Sequence, residues 1–329
     1  MLVAPLALAL DWQVEVTPAG ELYPVLQWSA SAGGDGLVAV VVNGVAAGTR
    51  LRAQLRTPGL REPAQASALA GGGEVVLRLP LRWDATALRE VEAVRTQRLQ
   101  VQLEVGDTTL QREVVVRLHP LDEAAYFIRD SGVRVDLSWI FAAYVDPYDP
   151  AIDALLAQAR EFDPAFERAD ADAARQARRR LRALWHVLNA RGVRYDPGDP
   201  ALARGPSVWS QRVRSAGQVL RERRANCIDG SVLIASWLER LGLHARIALV
   251  PGHAFVGYEV PGTRGTQFLE TTLLGHADLD AALRAGATRW RKAARRLDGR
   301  HAPDYALIDV GTARAYGIIP LGAALRANP

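Results

Sequence analysis

Cysteine is nearly absent from this chain of 329 residues: Cys227 is its single instance. One cysteine excludes an intrachain disulfide and any multi-cysteine zinc site, and it fits a reducing compartment. Lysine is as scarce. Lys292 is the lone lysine among 40 basic residues, so the basic character comes from arginine. The formal net charge of +4 is small for this length and argues against a strongly basic nucleic-acid surface. Long apolar runs are missing too, and none approaches the ~20 residues a membrane helix needs. Residues 1–10 are apolar but lack the basic stretch that opens a signal peptide, and they read as a first strand. A true start upstream of Met1 would instead make them the tail of an export signal. Otherwise a cytoplasmic location is expected. No group of Cys, His and carboxylate residues has metal-ligand spacing, so neither a metal nor another cofactor is expected.

What is present suffices for a folded core. Apolar residues make up 49% of the chain, and the length suits two ordinary domains. Arginines cluster at 178–180, 221–224 and 289–296, each time interleaved with apolar residues at helical spacing. These clusters read as solvated helix faces.

Residues 11–118 carry strand signals. Trp12, Val14 and Val16 alternate with polar residues, as do Leu99, Val101, Leu103 and Val105. The second run stops at Gly106-Asp107 and resumes at Leu110, which predicts a hairpin. The apolar run 37–42 leads into Asn43-Gly44, a second two-residue hairpin signal. Gly71-Gly72-Gly73 predicts a loop before a strand over 75–79. Short strands between turn signals predict an antiparallel β-sandwich-like domain over residues 1–120. No cluster in this half suggests chemistry, and a packing or partner-binding module is the expectation.

From His119-Pro120-Leu121-Asp122 onward the pattern reads as helical, giving an α+β domain over 121–329. Asp146-Pro147-Tyr148-Asp149-Pro150 predicts a turn that opens a helix at Ala151. Ala177, Leu181, Leu184, Trp185 and Leu188 line one face of a helix over 170–190. A Pro- and Gly-rich loop over 197–206 and an amphipathic stretch over 207–224 follow.

Asn226-Cys227-Ile228-Asp229-Gly230-Ser231 opens the next helix, with Asn226 as N-cap and Asp229 three residues on in capping-box spacing. Cys227 thus falls in a first turn, where the helix dipole and free N–H groups favour an anionic sulfur, the nucleophilic form. Asp229 opposes this if its charge faces the sulfur. Three strands are predicted after the helix: 245–250, 253–260 starting at His253 behind Pro251-Gly252, and 267–270 ending at Glu270. Antiparallel pairing brings His253 and Glu270 to one sheet edge. A helix N-terminus packed there sets Cys227 beside His253, giving a nucleophile, a base and an acid that orients the base.

These motifs, Asn226-Cys227-Ile228-Asp229, Gly252-His253-Ala254-Phe255-Val256 and Leu269-Glu270-Thr271-Thr272, resemble in order and spacing the transglutaminase-like superfamily of papain-fold enzymes. The family's third position is usually Asp, so Glu270 is a departure. The resemblance extends to Ala143-Tyr144-Val145-Asp146-Pro147, to Ser210-Gln211 and to Asp309-Val310-Gly311-Thr312, and suggests a bacterial branch in which a β domain precedes the catalytic one. It implies a papain-like fold with helices packed on an antiparallel sheet. It also implies catalysis by Cys227, His253 and Glu270 on a protein or peptide substrate. Gln211 and the backbone N–H of Cys227 are the candidate oxyanion donors.

Water as acceptor gives a peptidase or amidase, and an amine gives a transglutaminase. A non-catalytic relative that binds a protein or peptide is the rival. Its mark would be a buried Cys227, or a His253 out of hydrogen-bond range. His186, His244, His276 and His301 lack motif context and read as structural or surface residues.

Overall fold

The computed structural model describes residues 10–28, 37–130, 132–198, 202–260 and 262–327. The expected first strand over residues 1–10 lies almost wholly outside them. The chain is mixed α and β with several antiparallel sheets. It divides into two compact units, one ending at Leu121 and the other running from Asp122 to Ala327.

The first unit holds a three-stranded and a five-stranded sheet. In the smaller, Val38–Val45 lies between Trp12–Val16 and Gly73–Arg78. In the larger, Arg95–Val105 and Thr108–Leu118 form the hairpin turned by Gly106-Asp107. Alternation along Arg95–Val105 and its neighbour Arg50–Arg56 buries Leu51, Leu55, Leu99 and Leu103 on one face and leaves the other to Arg, Gln and Glu. Asn43-Gly44 is not a hairpin. The strand runs through it to Val45, and the pairing register shifts between Val42 and Val45. Gly44 takes the left-handed φ of +70°, and Asn43 donates to the Asp11 carboxylate at 3.0 Å. A positive-φ glycine serves a bulge as well as a turn, and here the paired strand on either side decides for the bulge.

The second unit opens on a strand, Glu123–Asp130, where a helical pattern was expected. Ala124, Ala125, Tyr126 and Phe127 are all buried, and a short run buried on both faces has no period to read. This strand joins Val133–Asp136, Val208–Arg212 and Leu202–Arg204 in a four-stranded sheet. The expected loop over 197–206 therefore contains a strand. The expected amphipathic stretch over 207–224 resolves into the strand Val208–Arg212 and a short helix, Ala216–Glu222.

Helices Pro150–Phe162 and Ala173–Ala190 are capped by Asp149 and Asp172, so the first starts one residue before the expected Ala151 and the second three residues after the expected 170. The second four-stranded sheet, entirely antiparallel, runs in the order Gln267–Leu269, His253–Glu259, His244–Val250, Ala306–Asp309. The helix Cys227–Arg240 packs on it and is buried along nearly its whole length, from Ile228 to Leu238. No helix among the described residues is long and apolar enough to cross a membrane.

Candidate active site

The cysteine helix begins as its capping residues dictate. Asn226 Oδ1 accepts from the N–H groups of Ile228 and Asp229 at 3.0 and 2.9 Å, and Asp229 Oδ2 accepts from the Asn226 N–H at 3.1 Å. This closed capping box fixes Cys227 as the first helical residue. The remaining capacity of Asp229 goes to Arg214, whose N–H and guanidinium each donate at 2.8 Å. The Asp229 carboxylate is thus engaged by backbone and guanidinium donors on the capping side.

The chain reversal Pro251-Gly252 sets the histidine. Val250 pairs with His253 directly across this two-residue turn, and Gly252 takes a φ of +69°. His253 therefore heads its strand. The neighbouring strand runs antiparallel, with Val256 opposite Leu269, so its end at Glu270 reaches the same edge. His253 Nε2 lies 3.0 Å from both oxygens of Glu270. The ring is close enough to the Cys227 side chain for the two to influence each other. With Nε2 facing the carboxylate, Nδ1 is the nitrogen left for sulfur.

Close packing draws these elements together. Thr271 Oγ1 donates to the Cys227 carbonyl at 3.2 Å, and a Cβ at Gly230 would lie 3.0 Å from Thr271 Cβ. Glycine at 230 thus lets the cysteine helix approach the turn that follows Glu270. The segment Ala143–Pro147 is tied to the same helix, since the Asp146 N–H donates to Ser236 Oγ at 2.9 Å.

Burial alone would lower the pKa of His253. Its interactions with Cys227 and Glu270, and the charges of both, outweigh that and raise it to about 9. Burial alone would raise the pKa of Glu270. The hydrogen bond and charge of His253, the Thr272 N–H and the Arg289 guanidinium outweigh it and hold the carboxyl at about 2. The geometry favours an imidazolium against a carboxylate at neutral pH.

Cys227 and His253 line a solvent-open cleft of about 490 Å³. Tyr126, Phe141 and Trp209 contribute aromatic surface to its wall, and Gln211 is part of it. Gln211 is a buried strand residue, not a helical one. Its Nε2 already donates to the Arg212 carbonyl at 2.8 Å. Cys227 is partly exposed and unbridged, and it shares this cleft wall with His253.

Two neighbours of the site escaped sequence reasoning. Arg289 Nε donates to Glu270 Oε2 at 2.6 Å, although its cluster reads as a solvated face. Tyr195 lies close enough that burial, together with Cys227 and Glu270, raises its phenol above the ordinary value. Neither stands near the motifs in sequence, and only tertiary contact identifies them. Asp278 and Asp309 cap helices: Asp278 accepts from the Ala281 N–H and Asp309 from the Thr312 N–H, both at 2.7 Å. Other arginines pair with carboxylates, as Arg178 does with Asp280 and Arg224 with Glu222. Among the described residues no group of three or more His, Cys, Asp or Glu is placed to hold a metal ion.

No protein-family model matches the chain, and no curated protein matches its sequence. Among solved structures, red sea bream transglutaminase is similar over 73% of this chain at 11% identity and a TM-score of 0.25. This chain spans 48% of that transglutaminase. An AAF fimbrial structure from enteroaggregative Escherichia coli, described for fibronectin binding and biofilm formation, matches 34% of this chain at 9% identity. That match covers 99% of the fimbrial chain with a TM-score of 0.21. Scores this low carry no argument about fold or activity.

Proposed function

We propose that the unit from Asp122 onward is a transglutaminase-like, papain-type catalytic domain that performs thiol-dependent acyl transfer, with the β unit before it as a separate domain. One observation carries the reading: an imidazole that shares a cleft wall with Cys227 faces, through Nε2, both oxygens of a buried carboxylate at 3.0 Å. A structural histidine needs neither partner, whereas a nucleophile–base–acid relay needs both.

In this mechanism Cys227 sulfur attacks a carbonyl carbon, and the carbonyl electrons move to oxygen. The oxyanion is met by the Cys227 N–H and the second amide hydrogen of Gln211. Collapse expels the leaving group, which takes its proton from His253, and leaves a thioester. Water then attacks, His253 accepts its proton, and the acid departs as the thiol is restored. Glu270 stays ionised throughout and holds the ring. No step calls for a metal or another cofactor. With water as acceptor the domain is a peptidase or amidase acting on a protein or peptide.

The test is acyl-enzyme trapping with p-nitrophenyl acetate. The expected result is a burst of one nitrophenolate per chain and a single acetyl group mapped to Cys227, both absent from Cys227→Ala. Steady nitrophenolate release with no acetylated Cys227 would overturn the reading. Added glycine amide separates the acceptors, because a transferase converts the acetyl group to the amide and a hydrolase releases acetate.

A further inference from the structure

We infer that Arg289 is a positioning residue for the reaction: its helix is docked on the Glu270 segment so that the guanidinium holds one carboxylate oxygen and fixes the acid against His253. The inference rests on the Cys227-His253-Glu270 reading and deepens it.

The helix Leu279–Ala293 carries Ala282, Gly286 and Arg289 at i, i+4 and i+7, one face of an α-helix. Each meets the strand that delivers the acid. The Ala282 carbonyl accepts from the backbone N–H of Glu270 at 3.0 Å. Gly286 lies against the strand backbone so closely that a Cβ there would sit 2.6 Å from the Leu269 nitrogen. Arg289, one turn on, reaches the carboxylate at 2.6 Å. Trp290 stacks on Phe268 with ring centroids 4.2 Å apart and an interplanar angle of 13°, securing the helix from the side. Phe268 in turn occupies the space over Gly257, where a Cβ would lie 2.5 Å from its ring. The helix is thus keyed to the strand on either side of the acid.

The division of labour within the carboxylate follows. Oε1 accepts from the Thr272 N–H at 3.2 Å and the Thr272 hydroxyl at 2.9 Å, Oε2 accepts from Arg289, and both oxygens face His253 Nε2. The carboxylate is 3% exposed, so its charge needs compensation that does not vanish when the imidazole gives up its proton. Arg289 is permanently charged and 42% exposed, and supplies that compensation from the solvent side. Tyr195, the other titratable side chain that the Glu270 charge reaches, is of acidic type and adds no cation.

The experiment follows iodoacetamide labelling of Cys227 across pH in the full chain, with denaturation midpoints recorded to confirm folding. Arg289→Ala is expected to label more slowly at pH 7, by about tenfold, the scale at which members of one hydrogen-bond network couple. The acid edge of rapid labelling should move to higher pH, because burial then protonates Glu270 more readily. Guanidinium chloride far below denaturing concentration should restore the rate in Arg289→Ala and leave wild type unchanged. Wild-type rate and profile in Arg289→Ala, or a loss that guanidinium does not restore, would overturn the proposal. If Arg289→Ala does not fold, Arg289→Lys carries the test, since it keeps the charge and loses the planar Nε–H. It must label more slowly than wild type, and a wild-type rate overturns the proposal. His253→Ala distinguishes the two levels. If it too labels like wild type, the underlying relay fails. If it alone is slow, only the role of Arg289 fails.

Discussion

Asp229 and Glu270 are both buried carboxylates, at 0% and 3% side-chain exposure, and each is paired with an arginine, Arg214 and Arg289 respectively. Their consequences differ because their other partners differ. Asp229 is otherwise satisfied by backbone N–H groups, and burial still leaves its pKa raised. Glu270 faces an imidazole, and its pKa is driven down to about 2. The first region secures a helix terminus. The second stores charge against a group that titrates. Burial and an arginine partner are common to both acids, and of the two only Glu270 faces an imidazole.

The largest expected effect separates the two. Glu270→Gln should lower turnover by about 10⁴-fold, the size of the corresponding amide substitution in a serine triad, because the amide does not stabilise the imidazolium. Its far-UV spectrum should stay that of wild type. Asp229→Asn should do the reverse. An amide nitrogen cannot accept from the Arg214 and Asn226 N–H groups that the two oxygens now satisfy, so the cost is about 1–3 kcal/mol of stability, read as a lower urea midpoint, while turnover per folded molecule stays near wild type. Equal losses of activity in the two variants would erase the distinction.

A smaller effect, with a sign, comes from pH. Glu270 has its pKa lowered to about 2 by folding, so its stabilising contribution is present above the unfolded carboxyl value and is lost as pH falls through about 2. His253 is raised to about 9, so its contribution is full below about 6.5 and is lost as pH rises through about 9. Both describe one ion pair, whose contribution peaks at about pH 4.5–6.5. Asp229 is raised, so its contribution has the opposite slope and weakens as pH rises through its folded value. The wild-type minus Glu270→Gln difference in urea midpoint should therefore grow as pH rises from 2.5 to 5. The wild-type minus Asp229→Asn difference should not. Parallel differences would contradict the assignment.

The sequence carried the local half of this site. Asn226 and Asp229 announced the helix start, Pro251-Gly252 the turn before His253, and the strand spacing the shared edge. These are short-range signals with one physical solution each. What escaped was set by distance or by lost periodicity. Ala282, Gly286 and Arg289 acquire meaning only once their helix lies on the strand that ends at Glu270, and in sequence Arg289 belongs to a charge run. Glu123–Asp130 had no period because its run is buried on both faces, and without that strand as its partner Gln211 reads only as part of an amphipathic stretch. Asn43-Gly44 carried a genuine positive-φ signal, and only the pairing around it separates bulge from hairpin.

The central claim, a sulfur activated by His253, is tested most directly by the pH profile of iodoacetamide labelling, since Cys227 is the only cysteine and every label reports on it. An isolated thiol, with a pKa of about 8.5, labels slowly at neutrality. The account predicts rapid labelling of the native protein at pH 6–7 and a shift of the profile to higher pH in His253→Ala, where the cationic partner is gone. A native protein that labels only after denaturation, or a profile that rises near the ordinary thiol value and is indifferent to His253→Ala, would contradict it.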